Sequence, residues 1–369
     1  MSLTPANVGI IGCGNISEIY FKNSQKFDIL NVAACADLIK EKAKAKAEKY
    51  EGVKVRSTKD ILDDPAIEIV LNITTPEAHA EISQAALDAG KSVYNEKPLT
   101  ITRADGRKLL QTAAQKKLRI GCAPDTFLGG SHQTCRKLID DGWIGEPVGA
   151  TAFMLCHGHE SWHPDPEFYY KKGGGPMFDM GPYYLTALVN LLGPVKRVTG
   201  ATKTTFPTRL ITSEPKYGTV IDVETPTHVV GVMEFANGAV GTIVTSFDVW
   251  ATRLPCIEIY GTEGSMSVPD PNGFGGSVLV TRGRGGEWKE IPLTHGYADN
   301  SRAVGMADLA YGLRTGRPHR ASGDLSYHVL DLMHAFHDAA DASSYVDLES
   351  TCERPAPLPM GLVAWTLDE

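Results

Sequence analysis

The chain has 369 residues, 42% of them hydrophobic, and carries 36 Lys and Arg against 44 Asp and Glu for a net charge of -8. That length exceeds what one hydrophobic core usually supports, so two domains are expected, and the dispersed acidic balance leaves no basic field for nucleic acid or an anionic membrane. The seven cysteines include no Cys-x-x-Cys pair and read as reduced core residues, while the absence of a signal pattern in residues 1–7 and of any run of about 18 apolar residues makes the cytoplasm the expected compartment.

Residues 8–11 form a short β-branched run that enters Gly12-Cys13-Gly14-Asn15-Ile16-Ser17 and then a helical segment at 18–21. Strand, glycine turn and helix together form a dinucleotide site. Gly12 permits the tight turn, Gly14 lets a pyrophosphate approach the backbone, and free N–H groups at Asn15 and Ile16 receive it. The third position of the pattern is Ser17, which is small but neither Gly nor Ala. A second strand, 30–36, ends at Asp37, about 20 residues past the turn, where a carboxylate accepts from ribose hydroxyls and repels a 2′-phosphate. This favours NAD over NADP, with Lys40 as the opposing charge. Capping the helix over 40–50 is the alternative role of Asp37.

The β/α alternation continues through a short helix from 57, an apolar strand at 67–73, and Thr74-Thr75-Pro76 opening a helix over 77–89 that carries His79. Thr74, Thr75, Pro76 and His79 are assigned to the cofactor, at the carboxyl end of a central strand. The next strand runs into Asn95-Glu96-Lys97-Pro98. A lysine there lies where open α/β sheets bind their ligands, and Pro98 restrains its backbone. Lys97 is therefore the first catalytic candidate and a ligand of both cofactor and substrate, with Glu96 beside it at the cofactor. A helix over 102–117 and a strand at 119–123 complete a doubly wound parallel sheet. The expected domains are 1–124 and 125–369.

Taken together, Gly12-x-Gly14, Asp37, Thr75-Pro76 and Glu96-Lys97-Pro98 resemble the glucose-fructose oxidoreductase, inositol dehydrogenase and rhizopine catabolism (Gfo/Idh/MocA) family. The resemblance implies a Rossmann domain binding NAD or NADP, then an α/β domain with a large, mainly antiparallel open sheet. It also implies activity on sugars, cyclitols or their derivatives, and homodimers or homotetramers built through that sheet. A helix near 322–342 is expected to pack back on the first domain.

In the second domain an alternating run, 148–156, precedes His157-Gly158-His159 and a loop holding Trp162, His163, Asp165, Glu167, Tyr169, Tyr170 and Lys171. Such a loop suits a sugar, with aromatic faces for the C–H side of the ring and polar tips for its hydroxyls. His157, Trp162, His163 and Tyr169 are assigned to substrate, together with Asp125 just past the domain boundary. His157 and His159 share one face of an extended segment, but no cysteine or carboxylate pair completes a zinc set, and no metal is expected.

Asp179 and Tyr183 are four apart on a helix start and share a face. Dehydrogenation needs an acceptor for the hydroxyl proton and a cation that lowers its pKa. Tyr183 with Lys97 supplies that pair, Asp179 positions it, and both Asp179 and Tyr183 touch substrate. The family pattern has histidine four residues after the aspartate, so Tyr183 departs from it, as in the glucose-fructose oxidoreductases, and Tyr184 competes for the role.

Beyond this, strands flanking Asn237-Gly238 form a hairpin and a meander to 291 reads as a dimer face. Helices over 302–313 and 322–342 follow, the latter carrying His328, His334 and His337 as structural residues. The sequence therefore reads as an NAD-dependent dehydrogenase or reductase of a sugar or cyclitol. The alternatives are a glycoside-cleaving enzyme that recycles its NAD within each turnover and a non-catalytic nucleotide-responsive binding protein.

Overall fold

Short apolar runs alternate with helices through the first third of the chain: β1 (Ala6–Ile11), α1 (Ser17–Ser24), β2 (Leu30–Ala36), α2 (Lys40–Lys49), β3 (Lys54–Val55), α3 (Thr58–Asp63), β4 (Ile69–Asn72), α4 (Pro76–Asp88), β5 (Ser92–Asn95), α5 (Arg103–Lys116) and β6 (Ile120–Cys122). The computed structural model describes residues 3–368. Its first sheet has the order β3-β2-β1-β4-β5-β6, and every pairing is parallel. Residues of β4 and β5 are buried throughout, as strands covered by helices on both faces must be. The helices start where the chemistry directs. Ser57 and Asp60 form a reciprocal capping box on α3, Thr102 caps α5, and Pro76 occupies the first turn of α4. Because the strand order reverses between β1 and β4, the loops after these two strands open a crevice at the carboxyl edge.

The second part begins with α6 (Gly130–Asp140), β7 (Pro147–Leu155), α7 (Gly175–Leu192) and β8 (Val195–Lys203), followed by the hairpin β9 (Thr208–Leu210) and β10 (Val220–Asp222). Then come β11 (His228–Phe235), β12 (Val240–Ser246), β13 (Ile257–Gly261), β14 (Gly264–Val268), β15 (Val278–Arg282), β16 (Lys289–Ile291), α8 (Val304–Thr315), α9 (Gly323–Ala342) and β17 (Val346–Asp347). The large sheet runs β16-β15-β14-β13-β7-β12-β11-β8-β17. Its β7–β12 pair is parallel and its other pairs are antiparallel. Gly238, at φ +93°, turns the hairpin between β11 and β12. One face of this sheet, with Val229, Met233, Ile243 and Ile259 fully buried, packs on α7 and α9. The other face leaves Val230 and Val240 exposed.

Helix α9 lies against α7 and β8 on one side and α5 and β6 on the other. Arg103 at the start of α5 pairs with Asp331 and Asp338 of α9. His328 and His334 of this helix bond to the Val195 N–H and the Ile101 carbonyl. The sequence reading has no counterpart for α6 or for the strands β3, β8, β9, β10 and β17. Helix α6 buries Ser131, His132, Gln133, Thr134 and Arg136 beside its apolar Cys135, Leu138 and Ile139. Gln133 is bonded at both ends of its amide, to the Phe127 carbonyl and the Leu358 N–H. No helix among the described residues is long and apolar enough to cross a membrane.

Candidate active site

Lys97 leaves the carboxyl end of β5 through a cis Lys97–Pro98 bond, and its Nζ donates to Asp179 twice, to Oδ1 at 2.9 Å and to the backbone carbonyl at 2.7 Å. Asp179 sits in the second turn of α7. Pro182 in the next turn cannot donate to the Phe178 carbonyl, and beside that interrupted ladder the Asp179 carbonyl receives the lysine. Burial disfavours both charges, yet each stabilises the other. The ammonium is held above its ordinary range, and the Asp179 carboxyl is brought down to about 2 by Lys97 and His159 against the opposing effect of burial.

The second oxygen of Asp179 meets His159, with Nε2 to Oδ2 at 3.1 Å. An ionised carboxylate only accepts, so Nε2 is the protonated nitrogen. The other nitrogen, Nδ1, is buried without a partner. Around the imidazole stand the rings of Tyr169 at 4.0 Å, Phe247 at 4.7 Å and Trp162 at 5.2 Å. Tyr169 also meets His163 edge-on at 5.3 Å, and burial raises its hydroxyl to about 12. Trp162 remains 62% exposed at the mouth of this cluster.

Tyr183 lies one turn after Asp179, its ring centre 5.3 Å from Lys97 Nζ. Burial raises the proton affinity of its hydroxyl, while Lys97 and Arg302 oppose that rise. Tyr184 is directed elsewhere, with the neutral Cys256 thiol and Asp270 as its titratable neighbours. Of the two tyrosines, it is Tyr183 that joins Lys97.

Four assigned residues take other roles. Asp125 is 1% exposed, and its Oδ2 accepts from the Ala303 and Gly305 N–H groups, both at 3.0 Å, so it anchors the start of α8 and does not face a substrate. His79 is also 1% exposed. It braces the two cofactor-side loops from behind, with Nδ1 at 2.7 Å from the Pro98 carbonyl and Nε2 at 3.3 Å from that of Thr74. Glu96 is occupied by the Tyr20 hydroxyl and the Lys97 N–H, both at 2.8 Å. His157 stacks on Trp250 at 3.4 Å and stays outside the Asp179 cluster. His159 is the member of that pair that reaches Asp179, because Gly158 at φ +78° breaks the extended segment that was expected to align them. Sequence reasoning therefore missed His159 and also Arg302, which stands beside Tyr183.

At the sheet's switch point the glycine turn fits a dinucleotide. Gly12 has φ +103°, and a Cβ there would come within 2.5 Å of the Ile73 carbonyl oxygen, so the chain itself requires this glycine. Gly14 differs, since a Cβ on it would meet no protein atom within 4 Å. Its smallness answers something other than packing. No side chain caps α1, and at its start the Ser17 N–H donates to the Gly14 carbonyl at 3.1 Å. Asp37 grips the same turn, with Oδ2 accepting from Cys13 N–H and Oδ1 from Ile39 N–H, both at 2.7 Å. It therefore does not cap α2 through the helix's first turn. Thr75 precedes α4 without a side-chain capping bond, exposed at the crevice.

Comparison with known proteins agrees with this geometry. Residues 6–123 match the model of an oxidoreductase family with an NAD-binding Rossmann fold, and residues 132–267 match a GFO/IDH/MocA C-terminal domain. D-xylose dehydrogenase from Paenarthrobacter nicotinovorans is 24% identical over 289 residues, covering 70% of this chain and 72% of that protein. Inositol 2-dehydrogenase from Salmonella typhimurium is 29% identical over 167 residues, which span 43% of this chain and about half (47%) of the relative. The solved structure of levoglucosan dehydrogenase in complex with NADH superposes with a TM-score of 0.80 at 22% identity, over 94% of this chain and 100% of that one, a likeness of fold.

Proposed function

Because this chain belongs to the Gfo/Idh/MocA family of oxidoreductases with an NAD-binding Rossmann domain, we propose that it transfers a hydride between NAD and a hydroxyl- or carbonyl-bearing carbon of a sugar, cyclitol or sugar derivative. The observation that carries this reading is the Lys97–Asp179 pair, with Nζ 2.9 Å from Oδ1 and 5.3 Å from the Tyr183 ring, at the carboxyl edge of the Rossmann sheet. The named relatives act, by their names, on xylose, inositol and levoglucosan.

NAD, when bound, supplies the hydride acceptor or, as NADH, the donor. Gly14, Asn15 and Ile16 would hold its pyrophosphate, Asp37 its adenosine ribose, and Thr74, Thr75 and Pro76 would line its path along the crevice. Asp37 favours NAD over NADP by repelling a 2′-phosphate.

The reacting oxygen is bound by Lys97 and Tyr183. Lys97 donates a charge-assisted hydrogen bond that favours alkoxide character on that oxygen. Tyr183 is the proton carrier: burial favours its phenol, which gives its proton to the carbonyl oxygen in reduction, and in oxidation it takes the hydroxyl proton as the phenolate, having lost its own proton to solvent, a form the adjacent cations make less costly. Asp179 holds Lys97 and His159 in place, so that its two oxygens set the geometry of both. Trp162, His163 and Tyr169 supply ring faces and polar edges for the remainder of the substrate.

This enzyme would work in the cytoplasm, with domains 1–124 and 125–369, and would pair through the half-exposed face of the large sheet. Sedimentation of purified protein checks the pairing. The activity itself is tested by NADH formation on a panel of aldoses, inositols, sugar acids and glycosides, with product analysis on the glycosides. NAD binding without turnover or glycoside cleavage would contradict it.

A further inference from the structure

The loop Asn300-Ser301-Arg302-Ala303 leads into α8 and is tied down on three sides. Asn23 Nδ2 donates to the carbonyls of Asn300 at 2.8 Å and Arg302 at 2.9 Å. Asp125 takes the N–H groups of Ala303 and Gly305. Ala303 has φ +89°, a conformation that costs energy in a residue with a Cβ and persists only where the surroundings enforce it. These restraints fix the position of one long side chain.

The Arg302 guanidinium is oriented but not neutralised. Nη1 donates to Asn300 Oδ1 at 3.0 Å and Nη2 to Asn272 Oδ1 at 2.9 Å, and Cζ stands 5.8 Å from the centre of the Phe274 ring. Both polar partners are neutral amides, and the fork keeps N–H donors to spare. Among the described residues Arg302 forms no ion pair, whereas Lys97, the neighbouring cation, is matched by Asp179. With no carboxylate in direct contact, the charge is offset only through the longer-range field of Asp125, and a bound oxyanion would supply a bidentate partner.

Two ligands could provide that oxyanion, the substrate or the cofactor's pyrophosphate. The location favours the substrate. The loop is tied to Asn23, in the last turn of α1, roughly 10 Å along the helix from the turn that receives a pyrophosphate. The guanidinium extends instead from the loop that Asp125 anchors, and Asp125 follows β6 at the same carboxyl edge from which Lys97 leaves β5. One unmatched positive charge also suits a monoanion better than a phosphate dianion.

We propose that Arg302 binds a carboxylate of the substrate, so that this enzyme acts on a sugar acid, an aldonate, uronate or carboxylated polyol, in preference to a neutral sugar. The proposal rests on the hydride-transfer reading for its reaction but not for its binding. Its test is therefore calorimetric binding to the NAD-saturated protein, independent of turnover, using hexonates and hexuronates, the matching neutral sugars and sugar phosphates, with wild type, Arg302→Met and Arg302→Lys. The result expected is that acids bind more tightly than their neutral counterparts. Arg302→Met would weaken the acids by roughly 10- to 100-fold, Arg302→Lys would recover part of the loss, and NAD affinity in all three proteins would confirm folding. Equal binding of acid and neutral sugars overturns the proposal, as does preferential binding of phosphates. Loss of NAD affinity in Arg302→Met with an unchanged acid-to-neutral ratio would assign the arginine to the pyrophosphate and overturn it too. Turnover of neutral sugars without acid binding would sink this inference while leaving the hydride-transfer reading intact.

Discussion

Lys97 and Asp179, 82 positions apart in the chain, meet as an ion pair whose carboxylate also binds His159 through its second oxygen. One aspartate thus joins the carboxyl edge of the Rossmann sheet to the loop after β7. Both partners are mostly buried, with side-chain exposures of 18% for Lys97 and 14% for Asp179. Removing one member strands the other charge.

Asp179→Ala should therefore destabilise the protein by about 3–5 kcal/mol. The pH dependence follows from the depressed carboxyl. Its contribution is fully present above the ordinary value of 3.8 and is lost as pH falls through about 2. Urea unfolding of wild type and Asp179→Asn across that acid window measures it. An unchanged slope in the variant would show that the pair contributes nothing.

Asp125 gives the opposite sign. Burial raises its carboxyl to about 6, so the stability tied to it is greatest below 3.8 and is lost as pH rises to about 6. Asp125→Asn keeps an acceptor for the Ala303 and Gly305 N–H groups and should abolish that dependence. Asp125→Ala should cost about 1–3 kcal/mol by orphaning both. Thermal unfolding between pH 4 and 7 distinguishes the two variants.

The two glycines of the turn should fail differently. Gly12→Ala drives a Cβ to 2.5 Å from the Ile73 oxygen at φ +103°, so it should lower stability by at least about 1–3 kcal/mol. A Cβ at Gly14 meets no protein atom within 4 Å, so Gly14→Val should fold normally while losing NAD affinity. Melting curves with and without NAD separate these outcomes, and a Gly14→Val protein that binds NAD like wild type would remove the turn from the cofactor site.

Asp37 bonds the turn through Cys13 N–H and is proposed to meet the adenosine ribose. Asp37→Ser should shift the ratio of NADP to NAD affinity upward by about 10-fold or more, the loss of a like-charge repulsion of about 1.4 kcal/mol. Fluorescence titration with each reduced cofactor checks it. Retained discrimination in the variant would assign selectivity elsewhere.

Much of this was legible in the chain. Val8–Ile11 before Gly12, Asp37 after β2 and Lys97 before Pro98 are local patterns, and the parallel sheet keeps them at one edge. Asp179 and Tyr183 were readable because helical spacing fixes their common face. What local pattern could not express was partnership across the chain. His157 and His159 have the same strand parity, and only the positive φ of Gly158 separates them. Asp125 lies next to the Lys97 edge in sequence terms but is claimed by N–H groups 178 and 180 positions away. Helix α6 went unseen because its apolar stripe is short, Cys135, Leu138 and Ile139, while polar residues fill its first buried turns. Arg302 carries no motif at all, and its neutral hydrogen-bond partners, Asn300 and Asn272, are set only in three dimensions.

The central claim is that Lys97 acts on the reacting oxygen of a sugar-class substrate. NADH formation by wild type and Lys97→Ala, both saturated with NAD and both shown to be folded, tests it most directly. Wild type should produce NADH from at least one member of the panel, and the variant should lose roughly 10²- to 10⁴-fold in kcat while still binding NAD. A folded Lys97→Ala enzyme that turns over at the wild-type rate would contradict the account.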